Sequence, residues 1–214
     1  MLRTLTFALT SVFLLVAPAL ANYHGFSAED YAEFEVLPGW RTSDGTHMVA
    51  LKVTLKPGWK TYWRAPGDAG IPPRFDWRKS KNLKAVLFHW PTPEVFEQSG
   101  LRSVGYKNQL ILPIELTPRK KGAPIALRAE VELGVCEDIC IPVQVRLSAD
   151  LATSGGVDTQ IKAAISQRPD TAREAGMRSI ACRIEPISDG VRLTAQIDMP
   201  SLSRDEIAIV ENAT

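Results

Sequence analysis

Runs of alternating apolar and polar residues dominate the first 150 positions. His47–Leu55 sets Val49, Leu51, Val53 and Leu55 on one face and Ala50, Lys52 and Thr54 on the other. Gln109–Leu116 repeats the pattern with Leu110, Leu112, Ile114 and Leu116, and Pro113 falls out of phase with them, which suits an edge or a bulge. Ile125, Leu127, Ala129, Val131, Leu133 and Val135 alternate with polar or small residues, as do Ile141, Val143, Val145 and Leu147. A period of two predicts half-buried strands. Shorter strands are predicted around Tyr31–Leu37, Trp59–Arg64, Phe75–Trp77 and Leu83–Trp90. Pro38-Gly39, Pro57-Gly58, Ala65–Pro73, Pro91–Pro93 and Arg119–Gly122 punctuate them as turns. Glu94–Tyr106 shows no sustained period and reads as a long loop. Many short strands without a convincing helix predict an all-β fold, an antiparallel β-sandwich over residues 24–150.

The pattern then changes. Residues 151–177 read as a small-residue linker and a short helix. Asp158 is placed to cap residues 159–167, with Ile161, Ala164 and Ile165 on one face and Pro169 beyond the end. Strand periodicity returns in Ile180–Ile184, Val191–Ile197 and Glu206–Val210. Residues 178–214 thus form a second β segment, too short for a comfortable core of its own. It either packs on the sandwich or belongs to a larger second β domain. Cys182 is in phase with Ile180 and Ile184, which predicts a buried thiol.

Cys136 and Cys140 lie between the two longest alternating runs, separated by Glu137-Asp138-Ile139. In one continuous strand they would be roughly 13 Å apart, four rises of about 3.3 Å. A disulfide needs Cα atoms roughly 4.4–6.8 Å apart, the spacing of directly paired residues in an antiparallel hairpin. Both cysteines are in phase with Glu132 and Gln144 rather than with the valines, which aims them at the polar face. Three readings are open at this point: a redox pair, a structural staple, or metal ligation. A ring of about five residues is a weak staple, worth ~2 kcal/mol by chain entropy.

The N-terminus supplies an address. Arg3, the apolar run Leu5–Val16 and Ala19-Leu20-Ala21 read as a secretory signal over residues 1–21. Its removal leaves 24 basic and 24 acidic residues, which gives no reason to expect nucleic acid or an anionic membrane surface as partner. No later stretch approaches about eighteen uninterrupted apolar residues, so no transmembrane span is expected in the mature chain. Export places the three cysteines in an oxidising compartment. His24 and His47 have no second ligand at a recognisable spacing and read as exposed loop histidines. A copper-handling role, with the thiols joined by Met48 or a histidine, has no Met-rich or His-rich tract behind it.

The segments Pro57-Gly-Trp-Lys-Thr-Tyr-Trp-Arg-Ala-Pro-Gly-Asp-Ala-Gly-Ile-Pro72, Trp90-Pro-Thr-Pro93, Gly105-Tyr106, Leu112-Pro113 and Val135-Cys-Glu-Asp-Ile-Cys-Ile-Pro142 recur in one order. Together they resemble the N-terminal periplasmic domain of DsbD-type protein-disulfide reductases, most of all the ScsB-like branch. The resemblance spans about residues 30–150. It implies an immunoglobulin-like sandwich carrying one redox-active pair, Cys136 and Cys140, on a hairpin. It implies electrons taken from a thioredoxin-like or membrane donor protein and passed to oxidised periplasmic proteins, with no cofactor and no metal. By position, Tyr62 is the aromatic lining the site, and Phe96, in a capping segment over 96–103, is the aromatic covering it. Longer members continue into a membrane-embedded electron carrier and a thioredoxin-like domain, so the reductant for this domain is expected from another protein. Glu137 and Asp138, between the cysteines, disfavour a thiolate, and Arg102 is a cation that could oppose them. Cys182 has no counterpart in the family pattern. A secreted binding or adaptor domain with a purely structural disulfide is the alternative.

Overall fold

The computed structural model describes residues 27–98, 100–202 and 206–211; the secretory signal expected over residues 1–21, Tyr23 and His24 lie outside them. After a short 3-10 turn at Ala28–Asp30, ten strands run in order: β1 (Ala32–Arg41), β2 (His47–Leu55), β3 (Lys60–Gly67), β4 (Arg74–Asp76), β5 (Leu83–Phe88), β6 (Glu94–Gln98), β7 (Leu101–Lys107), β8 (Gln109–Pro118), β9 (Ile125–Cys136) and β10 (Cys140–Leu151). Helix α1 (Thr159–Ser166) and a two-stranded hairpin, β11 (Ser179–Ile187) and β12 (Gly190–Asp198), follow.

The first ten strands form two antiparallel sheets. One has the order β1-β2-β8-β5; the other runs β10-β9-β3-β7-β6, with β4 also paired to β9. Their inner faces share one core in which Val53, Leu112, Leu116, Ile125, Val131 and Val135 are fully buried. Trp63 and Trp90 enter this core, while Trp77 packs partly buried against it. Every inward position expected from period two on β2, β8 and β9 is buried, because a sheet face with a second sheet over it leaves no solvent-facing site.

Local departures have physical causes. Pro38-Gly39 is no turn: β1 continues through it, and the register with β2 shifts between Leu37 and Trp40. Gly39 supplies the left-handed backbone (φ +58) that the bulge needs. Pro113 sits in a central strand, paired with Ala50. Its carbonyl accepts from the His89 N–H on the β5 side, so its missing N–H faces that side too, where β5 has already ended at Phe88. The proline therefore omits only the return bond to His89, at the end of β5. Glu94–Tyr106, expected as a loop, is the β6–β7 hairpin, with Glu94 paired to Gly105 and Gln98 to Leu101. It was illegible because Phe96, Ser103, Val104, Gly105 and Tyr106 are buried on both faces, which erases alternation.

The N-terminal half of β2 is also buried on both faces. Leu37, Met48 and Ala50 form a second cluster, closed by Ile161 of α1 with Trp40, Ile111 and Ile165 at its margin. Asp158 caps α1 as expected, accepting from the Gln160 and Ile161 N–H groups. His47, expected in an exposed loop, opens β2 and is 2% exposed, with Nε2 hydrogen-bonded to the Pro38 carbonyl at 2.7 Å.

The second β segment differs more. Residues 206–211 are not strand. In β11–β12, Ile180 pairs with Ile197, Cys182 with Ala195, Ile184 with Leu193 and Pro186 with Val191. One face is thus wholly apolar, yet every residue of both strands is exposed, Ile184 and Val191 to 67% and 68%. Cys182 is exposed, not buried. Its phase was read correctly, but no second layer covers that face among the described residues, and two strands cannot bury a face by themselves.

Candidate functional site

The β9–β10 ladder runs without a break from Ile125↔Leu151 to Cys136↔Cys140, so the three-residue loop Glu137–Ile139 closes the hairpin directly on the cysteines. Their Cα atoms are 4.2 Å apart and the sulfurs are bonded. Two sides of this disulfide differ sharply. Cys140 is exposed, while Cys136 is 1% exposed. Phase alone aims both at the polar face; that face is not open at this end of the sheet. Gly134, next to Cys136 on the same face, lies under Ile71 so closely that a Cβ there would sit 2.7 Å from the Ile71 Cβ. The 68–73 loop thus roofs the end of β9.

Strand β3 brings the other side chains. Lys60 is the direct cross-strand partner of Cys136, and Thr61 of Val135. The Thr61 hydroxyl donates to the Gly134 carbonyl at 2.9 Å, fixing β3 against β9 from within. Tyr62, two residues after Lys60, shares its face. Tyr62 is 3% exposed and its hydroxyl lies 3.4 Å from Cys140 Sγ. A disulfide sulfur carries no proton, so the phenol is the donor. Burial raises the Tyr62 pKa above its ordinary value, which keeps that proton in place near neutrality. Gly70 packs on the ring: a Cβ at this residue, whose φ is +147, would fall 2.6 Å from the Tyr62 Cδ1. Beyond Tyr62 the β3–β7 register slips, from Tyr62↔Gly105 to Gly67↔Ser103. This bulge swings residues 68–73 over the sheet. Asp68 ties the loop down, its N–H donating to the Arg102 carbonyl at 2.8 Å and its carboxylate accepting from the Arg102 N–H.

The disulfide opens on a cleft of about 200 Å³ lined by Lys60, Tyr62, Ala69, Gln98, Leu101, Ser103, Glu137, Asp138 and both cysteines. Of the residues expected from sequence, Cys136, Cys140 and Tyr62 come together here. Phe96, expected to cover the cysteines from a loop over 96–103, lies in strand β6 and does not line the cleft. It is 5% exposed, with the ammonium groups of Lys60 and Lys107 at 5.7 and 4.7 Å from its ring centroid. Gln98, Leu101 and Ser103 of the same hairpin face the cleft instead. Arg102 does not line it; Lys60 is the cation that does. Lys60 could have been found from its place two residues before Tyr62. Met48 and His47 are buried beneath the bulge of β1 and α1, not beside the sulfurs.

Residues 28–152 match the family model for the N-terminal part of the thiol:disulfide interchange protein DsbD. The chain belongs to the DsbD N-terminal family. Among solved structures, the N-terminal periplasmic domain of ScsB from Proteus mirabilis is 25% identical, with a TM-score of 0.55 over 79% of this chain and 77% of its own. The DsbD N-terminal domain of Neisseria meningitidis, in the reduced form, is 19% identical over 61% of this chain and 91% of its own, with a TM-score of 0.33. No curated protein matches the chain at a significant level. Membership in the DsbD N-terminal family, with a bonded Cys136–Cys140 pair at the mouth of a cleft, makes this a thiol–disulfide exchange domain. Among the described residues no helix is long and apolar enough to cross a membrane.

Proposed function

We propose that the domain passes reducing equivalents in the periplasm, accepting them from a thioredoxin-like donor and delivering them to oxidised proteins through Cys136 and Cys140. Residues 1–21 act as its export signal. The observation that carries the reading is the unequal burial of the two sulfurs. An attacking thiolate must approach along the S–S axis, and only Cys140 is open to it. Cys140 is therefore the cysteine that forms the mixed disulfide, and Cys136 is the leaving group.

Tyr62 and the β6–β7 hairpin make this selective. The phenol sits on Cys140 Sγ, and the hairpin tip with Leu101 and Gln98 narrows the approach. A docked partner displaces these contacts; small oxidants gain little by them. The weak staple supports the same reading, since a five-residue ring contributes only ~2 kcal/mol to folding.

The test is trapping. Cys136→Ser, made in a Cys182→Ser background, leaves Cys140 as the sole thiol. Converted first to its mixed disulfide with thionitrobenzoate, Cys140 should be attacked by a single-cysteine thioredoxin-like donor, releasing thionitrobenzoate and leaving a protein–protein mixed disulfide, while Cys140→Ser treated the same way should not. The intact pair should equilibrate with redox buffers at about −120 to −270 mV. A pair that stays oxidised below about −300 mV and traps nothing would leave a structurally stapled binding domain.

A further inference from the structure

We propose that Lys60 is the positioning cation of this site: its ammonium stabilises the thiolate that Cys136 becomes when the disulfide opens. The inference rests on the exchange reading above and names a residue on which that reading depends for speed.

The register places it. Lys60 is paired across the sheet with Cys136, so the two side chains leave the same face of adjacent strands. Both line the cleft, and among the described residues lining it Lys60 is the one cation. The ammonium lies toward β6, donating to Gln98 Oε1 at 2.5 Å with the Phe96 ring centroid at 5.7 Å, so its charge acts on Cys136 across the cleft. The remaining titratable groups at the cleft are Glu137 and Asp138 on the hairpin loop, the Tyr62 phenol and Cys140 itself; Lys107, the β7 partner of Lys60, has its ammonium 4.7 Å from the Phe96 ring centroid. Two carboxylates beside a buried sulfur oppose a thiolate, and burial opposes it further. Without Lys60, the sulfur least able to carry charge would be the one that must accept it.

The step balances as follows. A partner thiolate bonds to Cys140 Sγ, the Cys136–Cys140 bond breaks, and its electron pair stays on Cys136 Sγ in the cleft that Lys60 also lines. The partner's second thiolate then attacks the partner sulfur of the mixed disulfide and releases Cys140 as thiolate. Both cysteines take protons from water. The pair gains two electrons, and the partner's dithiol loses two as it becomes a disulfide.

The experiment needs no partner. In Cys140→Ser/Cys182→Ser protein, Cys136 is the only thiol, and its ¹³Cβ shift in cysteine-labelled protein follows ionisation with pH. A unit charge across a partly screened cleft changes the population of a neighbouring anion by about tenfold. Lys60→Met should therefore hold about tenfold less thiolate at a given pH, and Lys60→Arg should restore it. Salt near about 1 M should move the Lys60 protein toward the Lys60→Met curve, an arm that requires no variant at this position to fold. Gln98→Ala, which removes the tether but keeps the charge, should titrate with the Lys60 protein. In protein with the pair intact, opening by dithiothreitol should slow about threefold in Lys60→Met, since a less acidic thiol leaves more slowly. Coincident titrations for Lys60→Met and Lys60, or equal shifts for Lys60→Met and Gln98→Ala, would overturn the proposal. Failure of Cys136→Ser to trap any donor would instead overturn the exchange reading, and the titration would still decide the role of Lys60.

Discussion

Reducing the Cys136–Cys140 bond should cost the fold little, and the size of that cost separates an exchanging pair from a staple. The two cysteines are four residues apart, so the bond closes a ring of five. Chain entropy assigns such a ring ~2 kcal/mol, against about 4.7 kcal/mol for a loop of a hundred residues. The hairpin is held by other means. Its ladder continues through twelve residue pairs to Ile125↔Leu151. Val135 and Ile141, the pair next to the cysteines, are buried in the core with Leu133 and Val143. A reduced Cys136 thiol remains a small, weakly polar group in the same buried position. Urea unfolding followed by tryptophan fluorescence, oxidised against reduced and with Cys182→Ser to prevent cross-links, is the assay. With a slope of about 2 kcal/mol per molar, the midpoint should fall by about 1 M. Loss of the transition on reduction, or a cost above about 4 kcal/mol, would refute the reasoning and make the bond a structural one.

Tyr62→Phe keeps the buried ring and removes the hydroxyl from Cys140 Sγ. Stability should change by no more than about 1 kcal/mol, while release of Cys140 from a mixed disulfide slows severalfold by stopped-flow fluorescence. Ile161→Ala empties a fully buried position between α1 and β2 and should cost about 2–4 kcal/mol. Its mark is faster proteolysis across residues 153–157 with an unchanged redox potential. His47 carries a pH prediction. Burial lowers its pKa below 6.5, with Arg41 adding to the shift and the Pro38 carbonyl opposing it. The unfolded chain therefore takes up the proton first, and stability should fall as pH drops below about 6.5 toward the folded value. His47→Gln should flatten that slope in thermal melts below about pH 6.5; an unchanged slope would exclude His47 as its source.

Period two, turn residues and the cysteine spacing determined much of this protein. They placed β2, β8, β9 and β10, the cap on α1 and the hairpin that joins Cys136 to Cys140, because each is a local consequence of strand and helix geometry acting on neighbours in the chain. They failed where a second layer intervenes. Glu94–Tyr106 lost its alternation because residues 103–106 of β7 are buried on both faces. Cys136 was aimed at a polar face that the 68–73 loop and the hairpin had closed. Cys182 was assigned a core that two strands do not make. The nearness of Lys60, Gln98 and Leu101 to the sulfurs depends on strands up to about eighty residues apart being brought into register. Burial and charge at a sulfur are properties of everything packed around it, and those neighbours are chosen by tertiary pairing, which no local pattern records.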